Sequence, residues 1–584
     1  MEQLGFTLVT FIGFTVLVAV ISARIVRRSD NQKTAKGYFL AGNGLSGIFI
    51  AGSMLLTNQS AENLIGLSGA SYLSNMSGMA WESTAVIATI IMAFVFLPIY
   101  LRKGYTTLPE FLEDRFGIGV RRLASVLFLM GYLVIGIPVT LYAGAIGFNQ
   151  IFSLSDIFGI STELGITLLI VVVGIIGAIY AVLGGLKAVA VSDSINGILL
   201  IVGSILVVVF GLHTLGFEAS GGSIIAGLEE ILTVDPEKLN AIGSSTDSVP
   251  FRTIFGGMLL ANMFYWGTNQ VLIQRSLGAK NLKEGQKGVL ISGFLKMLVP
   301  ILMVFPGIIA YKLIPGLENS DYAYPALVAM VLPWPVVGLF CAALFGAVIS
   351  TYNSFLNAAS TIFVMDIYKP LAKKPMTDEQ TVKFAKKIGW GFAAFAIMVS
   401  PMLQVVSDGL YNFGRSFTGF YNIPIITLVL IGMFSKKGST KGAFIATGFH
   451  IFLYSGYKFW FAGLGWSVTD AICSLNYMDI YLISFIIMVI IMVVSTNKKA
   501  TKTFDKGTVV NSDYDMTPWA HKNLVAVWLI SILVYQYFIF SPLGVATTDK
   551  NIPLIIGVSI AVVIETIVLY VMGYNKQKKL NLAK

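Results

Sequence analysis

The strongest constraint on this chain is a succession of apolar runs, each about 20 residues long, repeated from one end to the other. A run of that length is what an α-helix needs to cross the roughly 30 Å hydrocarbon core of a bilayer. Fifteen such runs are expected, at 5–23, 45–71, 77–101, 123–152, 162–183, 192–215, 253–274, 288–311, 332–363, 388–404, 410–434, 442–463, 477–496, 522–541 and 551–573. No stretch between them is polar enough to coat a soluble domain. With 56% hydrophobic and 12% charged residues, the chain has about half the charge of a soluble protein. The expected class is an all-α polytopic membrane protein.

A net charge of +10 in a soluble protein would suggest nucleic acid. Here the basic residues sit in short loops and report orientation instead. The apolar run that opens the chain is no signal peptide, because Met1-Glu2-Gln3 lacks a basic start and Arg24, Arg27 and Arg28 follow the run. That order places the N-terminus outside. Alternating from there, the inside loops hold 33 Lys or Arg and the outside loops five. The expected site is the plasma (inner) membrane, with the C-terminus cytoplasmic. Cys341 and Cys473 have no metal-ligand spacing, and His213, His450 and His521 are isolated. No paired carboxylates, nucleophile set or phosphate loop appears, so no enzyme is expected. Gly184-Gly185-Leu186 reads as a turn between two spans.

Three spans are too polar to be lipid anchors. The second carries Ser53, Thr57, Asn58, Gln59, Ser60, Glu62 and Asn63, and the seventh carries Asn262, Thr268, Asn269 and Gln270. An unsatisfied backbone group in hydrocarbon costs several kcal/mol, so irregular polar backbone at that depth lines a cavity or a packed site. Two interrupted helices five spans apart point to paired repeats and a transporter site. In the ninth span Ser350, Thr351, Asn353, Ser354, Asn357, Ser360 and Thr361 recur at helical spacing. Such a stripe either glues helices together or offers oxygens to a hard cation. The ionisable residues within spans are Glu62, Glu82, Asp193, Lys296 and Arg415. Each is costly there, which makes it a functional candidate.

These residues fall within an ordered set of segments: Tyr38-Phe39-Leu40-Ala41-Gly42, Ser60-Ala61-Glu62, Tyr180 through Leu186, Tyr265 through Gln270, Gln274-Arg275, Ala347 through Thr351, and Lys441-Gly442-Ala443. Over roughly residues 38 to 445 the chain resembles the sodium/solute symporter family, which contains the sodium/glucose cotransporters, and within it the bacterial sugar branch. The resemblance implies a LeuT-type core of two inverted five-helix repeats, 45–215 and 253–434, separated by the extracellular loop 216–252. Residues 1–44 would add a helix and cytoplasmic loop, and 435–584 four helices and a tail. It also implies a monomeric symporter that imports a small polar solute with sodium by alternating access and binds no nucleic acid. A sugar is the first expectation. An amino acid, sialic acid or another carboxylate is the alternative, and an ion channel is the rival outside transport.

Carried onto this chain, the family sodium site falls on the carbonyls of Leu56, Gln59 and Ala347 and the hydroxyls of Ser350 and Thr351. A second ion would use Asp193 with Ser350, Asn353 and Ser354; alternatively Asp193 caps the start of the sixth span. The solute site falls on Asn63, Glu82, Asn262, Lys296 and Arg415, with Trp81 as outer and Tyr265 and Trp266 as inner aromatic gates. Asn63 and Arg415 stand where the sugar branch has glutamine. A guanidinium has five donors and no acceptor, which suits an acceptor-rich or anionic solute. On the charge asymmetry, a reporter active only in the periplasm should stay silent when fused after Lys584; activity there would mean the span count is off by one.

Overall fold

The polypeptide must satisfy its backbone within itself wherever lipid surrounds it, and it does so as helices. The computed structural model describes residues 2–27, 34–152, 154–247, 249–405, 410–496 and 514–582. Most of the expected basic loop 497–522 lies outside them. The membrane-length and interrupted helices are α1 Glu2–Arg27, α2 Gly47–Asn58, α3 Ala61–Leu73, α4 Met76–Lys103, α5 Ile118–Phe152 and α6 Thr162–Ser220. They continue as α7 Gly257–Gly267, α8 Gln270–Leu277, α9 Leu282–Lys296, α10 Pro300–Leu313, α11 Trp334–Leu371 and α12 Asp378–Val405. The last five are α13 Leu410–Phe434, α14 Thr440–Ser455, α15 Tyr477–Val494, α16 Lys522–Ile539 and α17 Ile552–Leu582. A shorter helix, Ile224–Val234, lies in the acidic loop.

Among the described residues ten helices are long and apolar enough to cross a membrane, and the α9–α10 pair, bent by 41°, makes an eleventh. The second and seventh expected spans are each split, into α2–α3 and α7–α8. Helices α1 and α14 occupy the first and twelfth.

Two of the ten, Thr162–Ala181 and Val189–Glu218, lie within the one run α6. Gly177 nevertheless packs against Ile349 and Tyr352, while Asp193 lies beside Ser350. A straight helix would hold Gly177 and Asp193 about 24 Å apart. The run therefore bends, and its two halves converge on the same stretch of α11.

Both interruptions have a local cause. Gln59 leaves helical geometry and Ser60 is extended; its hydroxyl accepts the Asn63 N–H at 3.3 Å and starts α3. Asn269 starts α8 in the same way, accepting the Val271 N–H at 3.1 Å. Ser and Asn are strong N-caps because a short polar side chain can reach a free amide of the first turn. The two interruptions are also tied together: Leu45, just before α2, receives the Lys280 N–H at 2.9 Å and donates to the Gly278 carbonyl at 3.1 Å, just past α8.

Helix α3 is held against α10 at very short range. Ser68 and Ser71 donate to the Met303 and Val304 carbonyls at 2.8 and 2.6 Å. A β-carbon on Gly307 would strike the Ser68 carbonyl and the Ser71 hydroxyl. Gly307→Ala should therefore lower the stability of detergent-purified protein by about 1–3 kcal/mol, the usual cost of overpacking. Gly391→Ala, with open space around it, should leave the melting temperature unchanged. Equal melting temperatures for both variants would refute this account of α3–α10 contact.

Candidate functional site

Where a helix stops, its last carbonyls and the next helix's first amides lose their intrahelical partners. The second interruption is satisfied by its neighbours. Tyr100 donates to the Gly267 carbonyl at 3.0 Å, Tyr132 donates to Asn269 Oδ1 at 2.5 Å, and the Gln270 amide bridges Thr106 and Leu108 at 3.0 Å each. The first interruption is satisfied in part, by Thr351 Oγ1 donating to the Thr57 carbonyl at 3.2 Å and by Asn63 donating to the Asn58 carbonyl. The carbonyls of Leu56 and Gln59 belong to the same break. Thr351 reaches it from α11, on which Ala347 and Ser350 are also buried, Ser350 beside Asp193. The side-chain amide of Gln59 is buried at the break without a hydrogen-bond partner. Neutral carbonyl and hydroxyl oxygens are among the ligands a hard cation takes.

The expected second ion site is differently built. Asp193 is inside helical backbone, so the reading of it as a cap is overturned: a cap needs non-helical geometry. It accepts from Ser53 at 2.6 Å, and a guanidinium nitrogen of Arg275 stands 3.8 Å away. Arg275 also donates to Ser53 at 2.8 Å and to Ser354. Asn353 is buried with both amide atoms unpaired. A cation here would share Asp193 with a guanidinium already in contact with it. The sequence reading assigned Arg275 to an inside loop, whereas α8 buries it; nothing in local sequence joins it to Asp193.

Beside the first interruption lies a cavity of about 50 Å³, room for a few waters. Of the expected solute and gate residues, Asn63, Asn262, Arg415, Trp81 and Tyr265 line it. Arg415 donates to Asn63 Oδ1 at 3.0 Å, and its guanidinium lies over the rings of Trp81 (5.2 Å) and Tyr265 (5.8 Å). Asn262 donates to Thr84 Oγ1 at 2.9 Å. Glu82, Lys296 and Trp266 do not line the cavity. Glu82 and Lys296 are buried and ion-paired with each other, and Lys296 Nζ lies 5.7 Å from the centre of the Trp266 ring. Tyr265 and Trp266 are parted because successive helical residues point about 100° apart.

The cavity also has walls beyond the expected solute and gate residues: Thr418, Tyr421 and Asn422 on α13, and Glu62 and Asn269 from the two polar interruptions. The spacing 415, 418, 422 is one helix face, a signal the sequence did contain. Glu62 lies within electrostatic reach of Arg415. The lining therefore pairs one carboxylate and one guanidinium with amides and hydroxyls, between aromatic faces.

Removing one member of a buried ion pair strands the other, at a cost of about 3–5 kcal/mol. Glu82→Gln and Lys296→Met should each lower the melting temperature markedly, and the double variant should recover most of the loss. A double variant no more stable than either single one would rule out the pairing.

Known proteins can now be set beside this geometry. The profile of the sodium:solute symporter family matches residues 38–448. An uncharacterised symporter, YidK, of Escherichia coli (strain K12) is 40% identical over 91% of this chain and 90% of its own length. The sodium/glucose cotransporter of Vibrio parahaemolyticus is 29% identical over 92% and 99%. A solved sodium-coupled sialic acid symporter superposes with a TM-score of 0.71 at 22% identity, covering 85% of this chain and 99% of that one. The fold is thus the LeuT-type helical fold of a sodium symporter, as the sequence implied.

Proposed function

The chain belongs to the sodium:solute symporter family, and from that premise we propose that it imports a neutral polyhydroxy solute, a sugar, together with sodium. Members of this family are transporters and not enzymes. The observation that carries the substrate reading is the mixed lining of the cavity. A sugar hydroxyl both donates and accepts. Glu62 accepts, Arg415 donates, and Asn63, Asn262 and Asn422 do both, while the rings of Trp81 and Tyr265 offer faces for the apolar side of a sugar ring.

In this reading sodium is cargo, held by the carbonyls of Leu56, Gln59 and Ala347 and the hydroxyls of Ser350 and Thr351. It binds across the α2–α11 junction and so fixes the first interruption, whose next turn carries Asn63 into the cavity. Ion and solute are then coupled through one short stretch of backbone. The Thr351 hydroxyl, which now donates to the Thr57 carbonyl, would turn its oxygen to the ion. The cavity is too small for a sugar in this conformation, so entry requires the aromatic pair Trp81 and Tyr265 to part from Arg415. Glu82 and Lys296, behind the Trp81 wall, can join the site only if that movement opens their pair. Arg275 already neutralises Asp193, which favours a single coupled ion. We place the C-terminus in the cytoplasm and treat the monomer as the working unit.

Arg415 supports a second reading, in which the solute carries a carboxylate. Uptake into proteoliposomes from a panel of hexoses, inositols, amino acids and sialic acid separates the two. Wild-type uptake should saturate, require a sodium gradient and favour a neutral polyol. Thr351→Ala should raise the sodium concentration needed for half-maximal uptake, with a stability loss of no more than about 1–3 kcal/mol from the unpaired Thr57 carbonyl. Asn262→Ala should abolish uptake, and Arg415→Gln should shift preference further towards neutral hexoses. Sodium-independent flux would end the symport reading, and preference for a carboxylate lost in Arg415→Gln would replace sugar with the second.

A further inference from the structure

The last two helices, α16 and α17, hold a feature that solute transport does not use. They are joined by polar contacts along part of their length: Trp528 Nε1 donates to Thr566 Oγ1 at 3.0 Å, Ser531 to Glu565 at 2.7 Å, and Tyr535 and Ser559 share a bond at 2.8 Å. Near the lysine-rich end a further bond joins His521 Nε2 and Gln577 Oε1 at 3.0 Å. Between the Trp528 and His521 crossings lies about 10 Å of helix without a polar contact joining α16 to α17 among those named. A groove of about 450 Å³ opens there, walled by Trp519, Leu524, Val525, Leu569 and Tyr570, with Gly573 also lining it. The apolar window of α17 is not buried against protein at any residue, so the groove faces the bilayer.

Both ends of the groove have their polar groups paired, and its middle is apolar, so it asks for an apolar occupant. No lysine lines the groove, but several lie next in sequence to residues that do. Lys576 Nζ donates to the Ala520 carbonyl at 2.5 Å, Lys522 Nζ lies 4.7 Å from the Phe94 ring centre, and Lys578 and Lys579 are exposed. Tyr574 and Trp519 add the aromatic belt found at a membrane interface. A transmembrane helix of another protein is a poor fit. Such a helix is about 10–12 Å across with its side chains, so the groove would hold only about one turn of it. An acyl chain is thin and flexible.

We propose that this groove binds one acyl chain of an anionic phospholipid of the inner leaflet, with the lipid phosphate on Lys522 and Lys576. The choice of leaflet rests on the basic end of the chain facing the cytoplasm, and basic pockets between helices on that side suit anionic headgroups.

Native mass spectrometry of the detergent-purified full chain tests this independently of transport. Phosphatidylglycerol and phosphatidylcholine with identical acyl chains are titrated in parallel. Phosphatidylglycerol should bind more tightly, and each of Lys522→Gln and Lys576→Gln should weaken it about fivefold. Gly573→Phe fills the groove from one wall and Val525→Trp from the other; either should remove retention of both lipids while sodium-dependent uptake persists. Equal retention of the two lipids would overturn the headgroup assignment. Phosphatidylglycerol binding that survives both groove-filling variants would show surface lysines alone at work and overturn the groove. A stoichiometric polypeptide in place of lipid would do the same.

Discussion

A helix broken inside a membrane leaves carbonyls and amides that lipid cannot satisfy, and the rest of this structure is arranged around two such breaks. At Asn269 the surrounding helices close the account with tyrosine hydroxyls and the Gln270 amide. At Gln59 they do so only in part, through Thr351, and the Gln59 side-chain amide stays buried and unpaired. The difference is chemical. A tyrosine hydroxyl can donate to a carbonyl and finish its bonding, whereas a cluster of carbonyl and hydroxyl oxygens supplies acceptors beyond the donors at hand. One break is thus closed by its neighbours, and the other keeps buried polar atoms unpaired.

Charge inside the fold follows a matching rule. Glu82 is paired with Lys296, Asp193 faces Arg275, and Asp366 meets Arg121 between α11 and α5. Each pairing joins elements far apart in the chain. Ions are expensive to bury singly, and a buried pair gains specificity where it gains little stability. Arg415 differs, because its guanidinium is held by Asn63 and two aromatic rings at a cavity wall rather than by a buried ion pair alone.

Close packing provides the rigidity that these polar groups need. Gly307 lets α10 approach α3, and Gly177 lets the fifth expected span approach Tyr352. Between helices in lipid there is little hydrophobic drive, and small residues with hydroxyl bonds supply the contact instead. Both halves of α6 lie against one stretch of α11, at Gly177 and at Asp193.

The sequence alone determined the class, the polar spans and the caps that break them. Bilayer thickness sets helix length, and Ser60 and Asn269 act on amides only two or three residues away. It also singled out Arg415 and the stripe from Ser350 to Ser354, because helical spacing is local. What it could not decide was which distant side chains meet. Glu82 and Lys296 were both expected to touch the solute, and the fold turns them towards each other behind the cavity wall. Arg275 was expected in a loop, and the fold sets it against Asp193. In each case the outcome depends on the rotation of one helix against another, which is set by packing and electrostatics summed over the whole bundle. No window of sequence contains that sum.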